Sequence, residues 1–518
     1  EGNPLINQVI NRYTVILAVF AVIGYNWFSA NSAAILYYRQ QAEAFDGDRA
    51  YHHVEILTHP RMYGRALGSP GPDLAALYIA MEFKEYGLQP GGKERDFFQV
   101  RERDFERLEE IPILTTAVDG PIPIYGHDYA AYPGRNMTTG EALAPLRYVS
   151  LGELAAIQTP GWSEWYPDLD RKDFSEEILL TLSDREAYFL TAKRKRGLLV
   201  VAENTNQFQR RYTLSGRSGQ RVDNSGEIRG QDVPYVWISE EMANRLLANS
   251  GYTVSQLRED AQIHALEQVF DIPLDTTVNL NVEGTLVKDW PVRNVIGLWP
   301  GSVGYDYCAD CLGKKLIVVM VKYDSPPIGP EGSFNAANDN ASGVAVMLEA
   351  LRVMKETDYQ PYKSILFVAY SGEGLDGGEP FLDPDVSKFL QAHPSFSNFE
   401  LEAIVKLQGL GAGTGERLEI SAGGSLRLAD LFKLASKQMG VDTTRSEEAI
   451  DISVIYDQGD SFLESGQEAP IVRMFWEGWE ESSRLPTDTL QLISSDKLEK
   501  SGQALALALM ILGRETEY

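Results

Sequence analysis

Asn335-Ala-Ala-Asn-Asp-Asn-Ala-Ser-Gly343 runs directly into Val344-Ala-Val-Met-Leu-Glu-Ala-Leu-Arg-Val-Met354. Val344, Val346, Met347, Leu351 and Met354 recur at helical spacing, so the second part reads as a buried helix and the first as the loop at its N-terminus. Asp339, a lone acid in an Asn/Ala/Gly-rich turn, is thereby presented near a positive helix end. That position suits a metal-bridging or ion-paired carboxylate; on this stretch alone a capping loop without chemistry fits equally. Working outward, Lys315-Leu-Ile-Val-Val-Met-Val321 and Ser364-Ile-Leu-Phe-Val-Ala-Tyr370 are apolar runs bounded by turns, as in buried strands. The first ends in Lys322-Tyr-Asp-Ser-Pro-Pro327 and the second in Ser371-Gly-Glu-Gly-Leu-Asp-Gly-Gly378. Strand, acidic loop, helix, strand, acidic loop is the α/β arrangement in which sites gather at the carboxyl ends of strands.

With these motifs in order, the chain resembles the di-zinc exopeptidases, which include bacterial aminopeptidases, glutamate carboxypeptidase, the transferrin receptor and nicastrin. The family pattern is a strand and H-x-D, a D-N-x-S-G turn and helix, then a strand and G-E-E. A strand ending in Asp and a late H-t-p-x-D-t turn follow. The resemblance implies that Lys322 stands where the first His ligand belongs, while Asp324 keeps the place of the orienting carboxylate. Asp339 matches the bridging ligand and Glu373 the general base. Gly374 replaces the metal-binding second Glu, and Gln408, after the strand Ala403–Leu407, replaces the third carboxylate. In Arg484-Leu-Pro-Thr-Asp-Thr489, Arg484 takes the place of the last His. Four of the five ligand positions (Lys322, Gly374, Gln408 and Arg484) are therefore changed and one, Asp339, is kept.

A hydrolytic zinc site needs neutral imidazoles and carboxylates in number, with a position open for water. The six His (52, 53, 59, 127, 264 and 393) lie in none of the motifs. Gly supplies no side-chain ligand, and Lys and Arg are cationic near neutral pH. No metal is expected, although remodelled loops offer Asp376, Glu379, Asp457 and Asp460 as substitutes. Carboxylates left without zinc need compensation, and Lys322 and Arg484 are positioned by the resemblance to pair with Asp339 and Glu373. Neutral drift, with both cations turned to water, is the alternative.

Apolar residues make up 44% of the 518 and charged ones 23%, as in globular proteins. The net charge of −27 repels nucleic acid, which is excluded as a partner. Cys308 and Cys311 are the two cysteines. They are too few for a four-thiolate zinc site, and a short-loop disulfide outside the cytoplasm is the preferred reading over a redox pair.

Residues 13–38 are the membrane candidate: charge is absent from Thr14 to Tyr38, enough helix for a hydrocarbon core of about 30 Å. A cleaved signal peptide is the rival reading. Asn26, Ser29, Asn31 and Ser32 are costly against lipid, and with the small residues beside them they point to contact with a helix of another integral membrane protein. The large domain is placed outside the cytoplasm on the resemblance alone.

A helix over Ala42–Leu57, the segment His59-Pro-Arg-Met-Tyr-Gly-Arg-Ala-Leu-Gly-Ser-Pro-Gly71 and a helix over Asp73–Tyr86 also resemble the family's opening. Short β-rich pieces then alternate with polar loops. Val233–Ser239 followed by the helix Glu240–Ala248 resembles the protease-associated insert, with an unrelated β-rich insertion as the alternative. The main fold returns at about Leu286 and ends in an amphipathic helix over Ser495–Leu512.

The expected fold is thus α/β: a mixed, mostly parallel sheet flanked by helices, with a protease-associated-like insert and one N-terminal transmembrane helix. The divisions are a polar N-terminus (1–12), the transmembrane helix (13–38), the first part of the exopeptidase-like domain (39–110), the insert (111–285) and its main part (286–518). The function implied is a catalytically inactive, single-pass, exopeptidase-like ectodomain serving as scaffold or subunit of a membrane complex. The alternative is a metal-dependent aminopeptidase or carboxypeptidase with an altered site and zinc as cofactor. The expected partners are an integral membrane protein and lipid, with peptides in the old cleft as a further possibility.

Overall fold

The computed structural model describes residues 35–514 apart from 93–94, 109, 132–138, 152–171, 184–185, 188–189, 191–192, 203–207, 209–217, 220–232, 264–269, 303–311, 326–332, 373–395, 424, 446–468 and 484. Asn26, Ser29, Asn31, Ser32, Cys308, Cys311, Glu373, Gly374 and Arg484 lie outside the described residues, as do Asp376, Glu379, Asp457 and Asp460.

The main sheet is built from β1 (Phe98–Leu108), β2 (Gly284–Trp299), β3 (Lys315–Lys322), β4 (Ser364–Tyr370), β5 (Glu400–Leu407), β6 (Leu418–Gly423), β7 (Thr443–Arg445) and β8 (Ile471–Trp476). Their order is β7-β6-β8-β5-β3-β4-β2-β1. The centre, β8-β5-β3-β4, is parallel, with Lys322 level with Tyr370. The flanks are not: β2 runs antiparallel to β4 and β1, and β6 antiparallel to β8. The mixed sheet thus has a parallel core with antiparallel pairs on either side.

Alternation along the central strands buries both faces, which is why these strands read as unbroken apolar runs. Ile317, Val319 and Val321 of β3 face one cluster with Ile365, Phe367 and Ala369 of β4; Leu316, Val318 and Met320 face the other. The first cluster is closed by the helices α1 (Gly47–Thr58), α2 (Gly71–Glu85), α3 (Gly343–Glu356), α4 (Leu426–Gln438) and α5 (Ser495–Leu512).

The expected helix Ala42–Leu57 is two helices. Residues 35–42 are helical, the chain turns, and α1 starts at Gly47 because Asp46 caps it, its side chain accepting from the N–H groups of Asp48 and Arg49. Ile35 and Tyr38 pack on the main core, and Ala42 is buried in it. Residues 35–38 therefore belong to the folded domain, and the candidate span shortens to residues before 35. Among the described residues no helix is long and apolar enough to cross a membrane.

A second sheet takes its strands from Ile113–Thr116, Phe270–Val282, Gly140–Ser150, Phe174–Thr181, Lys195–Val201, Tyr235–Ile238 and Tyr129–Ala131, in that spatial order. It hangs between β1 and β2, whose Leu108 and Gly284 are register partners. Because β2 is antiparallel to β4 and pairs with it from Val295 to Trp299, this attachment lies beyond the carboxyl end of β4. Phe334, which leads into the Asn335–Gly343 turn, packs against a core of the second sheet.

Candidate functional site

The carboxyl ends of β3, β4 and β5 bring Lys322, Asp324, Ser371 and Gln408 around the turn that carries Asp339. That turn is a tight coil over Ala337–Ser342, with Asp339 at φ −90°, ψ 79°. Ala336 (φ 45°) and Asn340 (φ 151°) hold positive φ without being glycine. Such backbone persists only when its surroundings hold it in place.

Four buried side chains do so. Asp488 accepts from the backbone N–H of Asn338 at 2.7 Å and of Asp339 at 2.9 Å. Arg65, fully buried, donates to the carbonyls of Asn335 at 3.0 Å, Ala336 at 2.8 Å and Tyr323 at 2.7 Å. Asn338 Oδ1 accepts from the N–H groups of Gly411 and Ala412. Asn340 Nδ2 donates to the Asp324 carbonyl at 2.6 Å. Gly343 completes the motif by close approach: a Cβ there would stand 2.8 Å from the Leu407 carbonyl oxygen, so only glycine lets α3 start against the end of β5.

Charges in this shelf are shifted by burial. Asp488 is pushed up to about 7, mainly by loss of water and also by the nearby Asp339 charge, with the two N–H groups and Arg65 pulling the other way. Burial pushes Arg65 down to about 10. Asp324 is buried and its Oδ2 accepts from Ser371 Oγ at 3.0 Å and the Gly372 N–H at 2.7 Å. It thereby ties β3 to the loop that follows β4.

Asp339 itself is bound on both oxygens. Gln408 Nε2 donates to Oδ1 at 2.9 Å, and Ser483 Oγ donates to Oδ2. Both of these donors are neutral. A carboxylate at 408 would face a second anion, whereas an amide supplies an N–H in the same place. Lys322 ends β3, half-buried, level with Tyr370.

Zinc would need lone pairs where the amide and the hydroxyl now point hydrogens. Among the described residues no three or more His, Cys, Asp and Glu side chains stand together as a metal-holding group. The four described His are engaged elsewhere: His53 bonds Tyr78, His52 bonds Glu55, His127 bonds Asp128 and His59 accepts from the Arg61 N–H. The described residues do not fit a di-zinc centre.

Residues 294–509 match the model of peptidase family M28. This segment is an M28 peptidase-family domain. Aminopeptidase YwaD of Bacillus subtilis (strain 168) is 28% identical over 207 residues, 37% of this chain and 40% of that protein, so the alignment spans less than half of the relative. Among solved structures, the aminopeptidase from Aneurinibacillus sp. strain AM-1 superposes with a TM-score of 0.61 at 18% identity, covering 93% of this chain and 97% of that one. BSAP, a zinc aminopeptidase from Bacillus subtilis, does so at 0.53 and 17%, covering 92% and 97%. At such identities these likenesses show the fold.

Against the M28 frame, Arg65, Ser483 and Asp488 were missed as functional side chains in the sequence. Asp488 is the acid of the late Arg484–Thr489 turn and Arg65 closes the Gly64-Arg65 step of the opening segment, so both sat inside recognised motifs. Ser483, beside Arg484, carries no signal of its own.

Proposed function

We propose that the protein is a membrane-anchored, catalytically inactive M28-type ectodomain that serves as scaffold or subunit of a membrane protein complex. The observation that carries this is the Asp339 carboxylate, the one kept ligand position, held by the Gln408 amide and the Ser483 hydroxyl. Hydrolysis by this family's chemistry needs a metal-activated water, and the residue types at 322, 374, 408 and 484 supply no such centre. The uncharged stretch before residue 35 supports the anchor, and its Asn26, Ser29, Asn31 and Ser32 support a helix partner in the membrane. Cys308 and Cys311, as a disulfide, fit a domain outside the cytoplasm. The second sheet is read as the protease-associated-like insert, supported by its attachment beside the Asp339 turn.

A second reading has its own support. The relative YwaD and the similar structures carry the name aminopeptidase, one of them zinc aminopeptidase, and Glu373 keeps the residue type of a general base. Under it the chain is a zinc-dependent aminopeptidase or carboxypeptidase with an altered site; peptides held in the old cleft without hydrolysis would be the intermediate case. The test is the full chain purified in mild detergent and assayed with added zinc on aminoacyl and carboxypeptidase substrates. No turnover is expected, together with a co-purifying membrane protein that is lost when Asn26, Ser29, Asn31 and Ser32 are all changed to Leu. Zinc-dependent turnover abolished by Glu373→Ala favours the enzyme.

A further inference from the structure

The first described residues, from Ile35, and the Asp339 turn sit at opposite ends of the domain. The 35–42 helix docks where Tyr38 meets the Tyr359 ring edge-on at 6.0 Å and Gln41 Nε2 reaches the Thr357 carbonyl at 3.4 Å, just past the end of α3. The chain then runs back along α3. Arg352 donates to the Ala44 carbonyl at 2.7 Å, the Asp46 N–H donates to Glu349 at 3.0 Å, and α1 ends with the Leu57 carbonyl on Arg65, beside the site. The strands give the same polarity. Tyr362 and Lys363 lead into the amino end of β4, while Lys322, Ser371 and Gln408 follow the carboxyl ends. The 8 residues of β3, at about 3.3 Å each, separate the two ends by about 26 Å. The second sheet is attached at the site end too.

We propose that the end of the domain bearing Leu36, Tyr37, Tyr362 and Arg514 rests on the lipid headgroups of the bilayer, with the Asp339 cleft opening away from the membrane. This rests on the reading of the N-terminal stretch as a span. Thr14–Ala34 holds 21 uncharged residues, still about 31 Å of helix. No spacer separates it from the docked helix, so a span ending there holds this end of the domain to the membrane. Leu36 and Tyr37 are each 59% exposed at the point of entry, the placement of side chains that belong at an apolar–polar boundary. Beside them the Arg514 guanidinium lies 4.0 Å over the Tyr362 ring and donates to its hydroxyl at 2.9 Å. Burial pushes the Tyr38 hydroxyl up, and the charge of this same Arg514 pulls the other way. The cleft end then stays clear of the membrane surface while a helix partner is reached through the bilayer at the other end.

The test uses the full chain with Cys308→Ser and Cys311→Ser, reconstituted in phosphatidylcholine vesicles carrying an acceptor dye on the headgroups. A donor is placed at Gln360→Cys or at Thr414→Cys, and a second pair, Gln40→Cys and Glu416→Cys, guards against a variant that fails to fold. All four residues are exposed, two at each end. Donors at 360 and 40 are expected to be quenched several-fold more strongly than donors at 414 and 416. Equal or reversed quenching in a chain that floats with the vesicles overturns the orientation and leaves the anchor standing. A chain that does not float overturns the span and the orientation with it.

Discussion

The shelf under Asp339 and the ring of positions around it are held together in different ways. In the shelf, Arg65, Asn338, Asn340 and Asp488 hold a strained turn through buried hydrogen bonds from four distant segments. In the ring, Lys322 and Gln408 stand at positions that the resemblance assigns to metal ligands, and Gln408 donates a hydrogen bond to Asp339. The difference follows from what each part does. The shelf satisfies buried backbone groups of the turn, so losing a member is expected to destabilise the loop with or without metal. On the proposed reading without zinc, a neutral donor at 408 is better tolerated beside Asp339 than a second carboxylate.

The largest expected effect is therefore in the shelf. Arg65→Ala strands several buried carbonyls and removes the cation beside Asp488, and should cost about 3–5 kcal/mol. Denaturant unfolding reads this as a lower midpoint at unchanged slope. A loss below 1 kcal/mol would mean the turn holds itself.

In the ring, Gln408→Glu restores the family's residue type and sets two anions together. Stability at neutral pH should fall by roughly 2–3 kcal/mol, with recovery as the pair takes up a proton in acid. If the variant is as stable as the parent without metal, the amide is not what compensates Asp339.

His53 sharpens the contrast by testing the frame away from the site. Burial lowers its pKa from 6.5 to about 4, and its ring bonds the Tyr78 hydroxyl. Between those values the unfolded chain binds the proton and the folded chain does not, so stability falls as pH drops through that window. The contribution is roughly 2–3 kcal/mol. In His53→Gln that part of the acid loss should vanish, seen as a flatter stability profile between pH 6.5 and 4. The smallest effect is Ser483→Ala, which leaves Asp339 one donor short and should cost about 1–2 kcal/mol.

How much of this was legible in the sequence follows the range of the interactions. Ser364–Tyr370 and Ser495–Leu512 stand where apolar periodicity puts them, because burial acts residue by residue along one element. The break at Asp46 was missed although Phe-Asp-Gly-Asp is a capping signal; the apolar spacing continued across it. The antiparallel flanks were missed because β1 and β2 pair across the whole insert. Asp339 was singled out from its turn, but its partners lie 69 and 144 residues away. Nothing local at Ser483 or Gln408 announces that they meet on one carboxylate.

The central claim is that Asp339 is held by hydrogen bonds at the position the resemblance assigns to a bridging metal ligand. The most direct measurement is a zinc titration of the full chain, purified without chelator and followed by calorimetry and by melting temperature. The account predicts no saturable zinc and no rise in melting temperature. One or two zinc ions per chain, lost in Asp339→Ala, would contradict it.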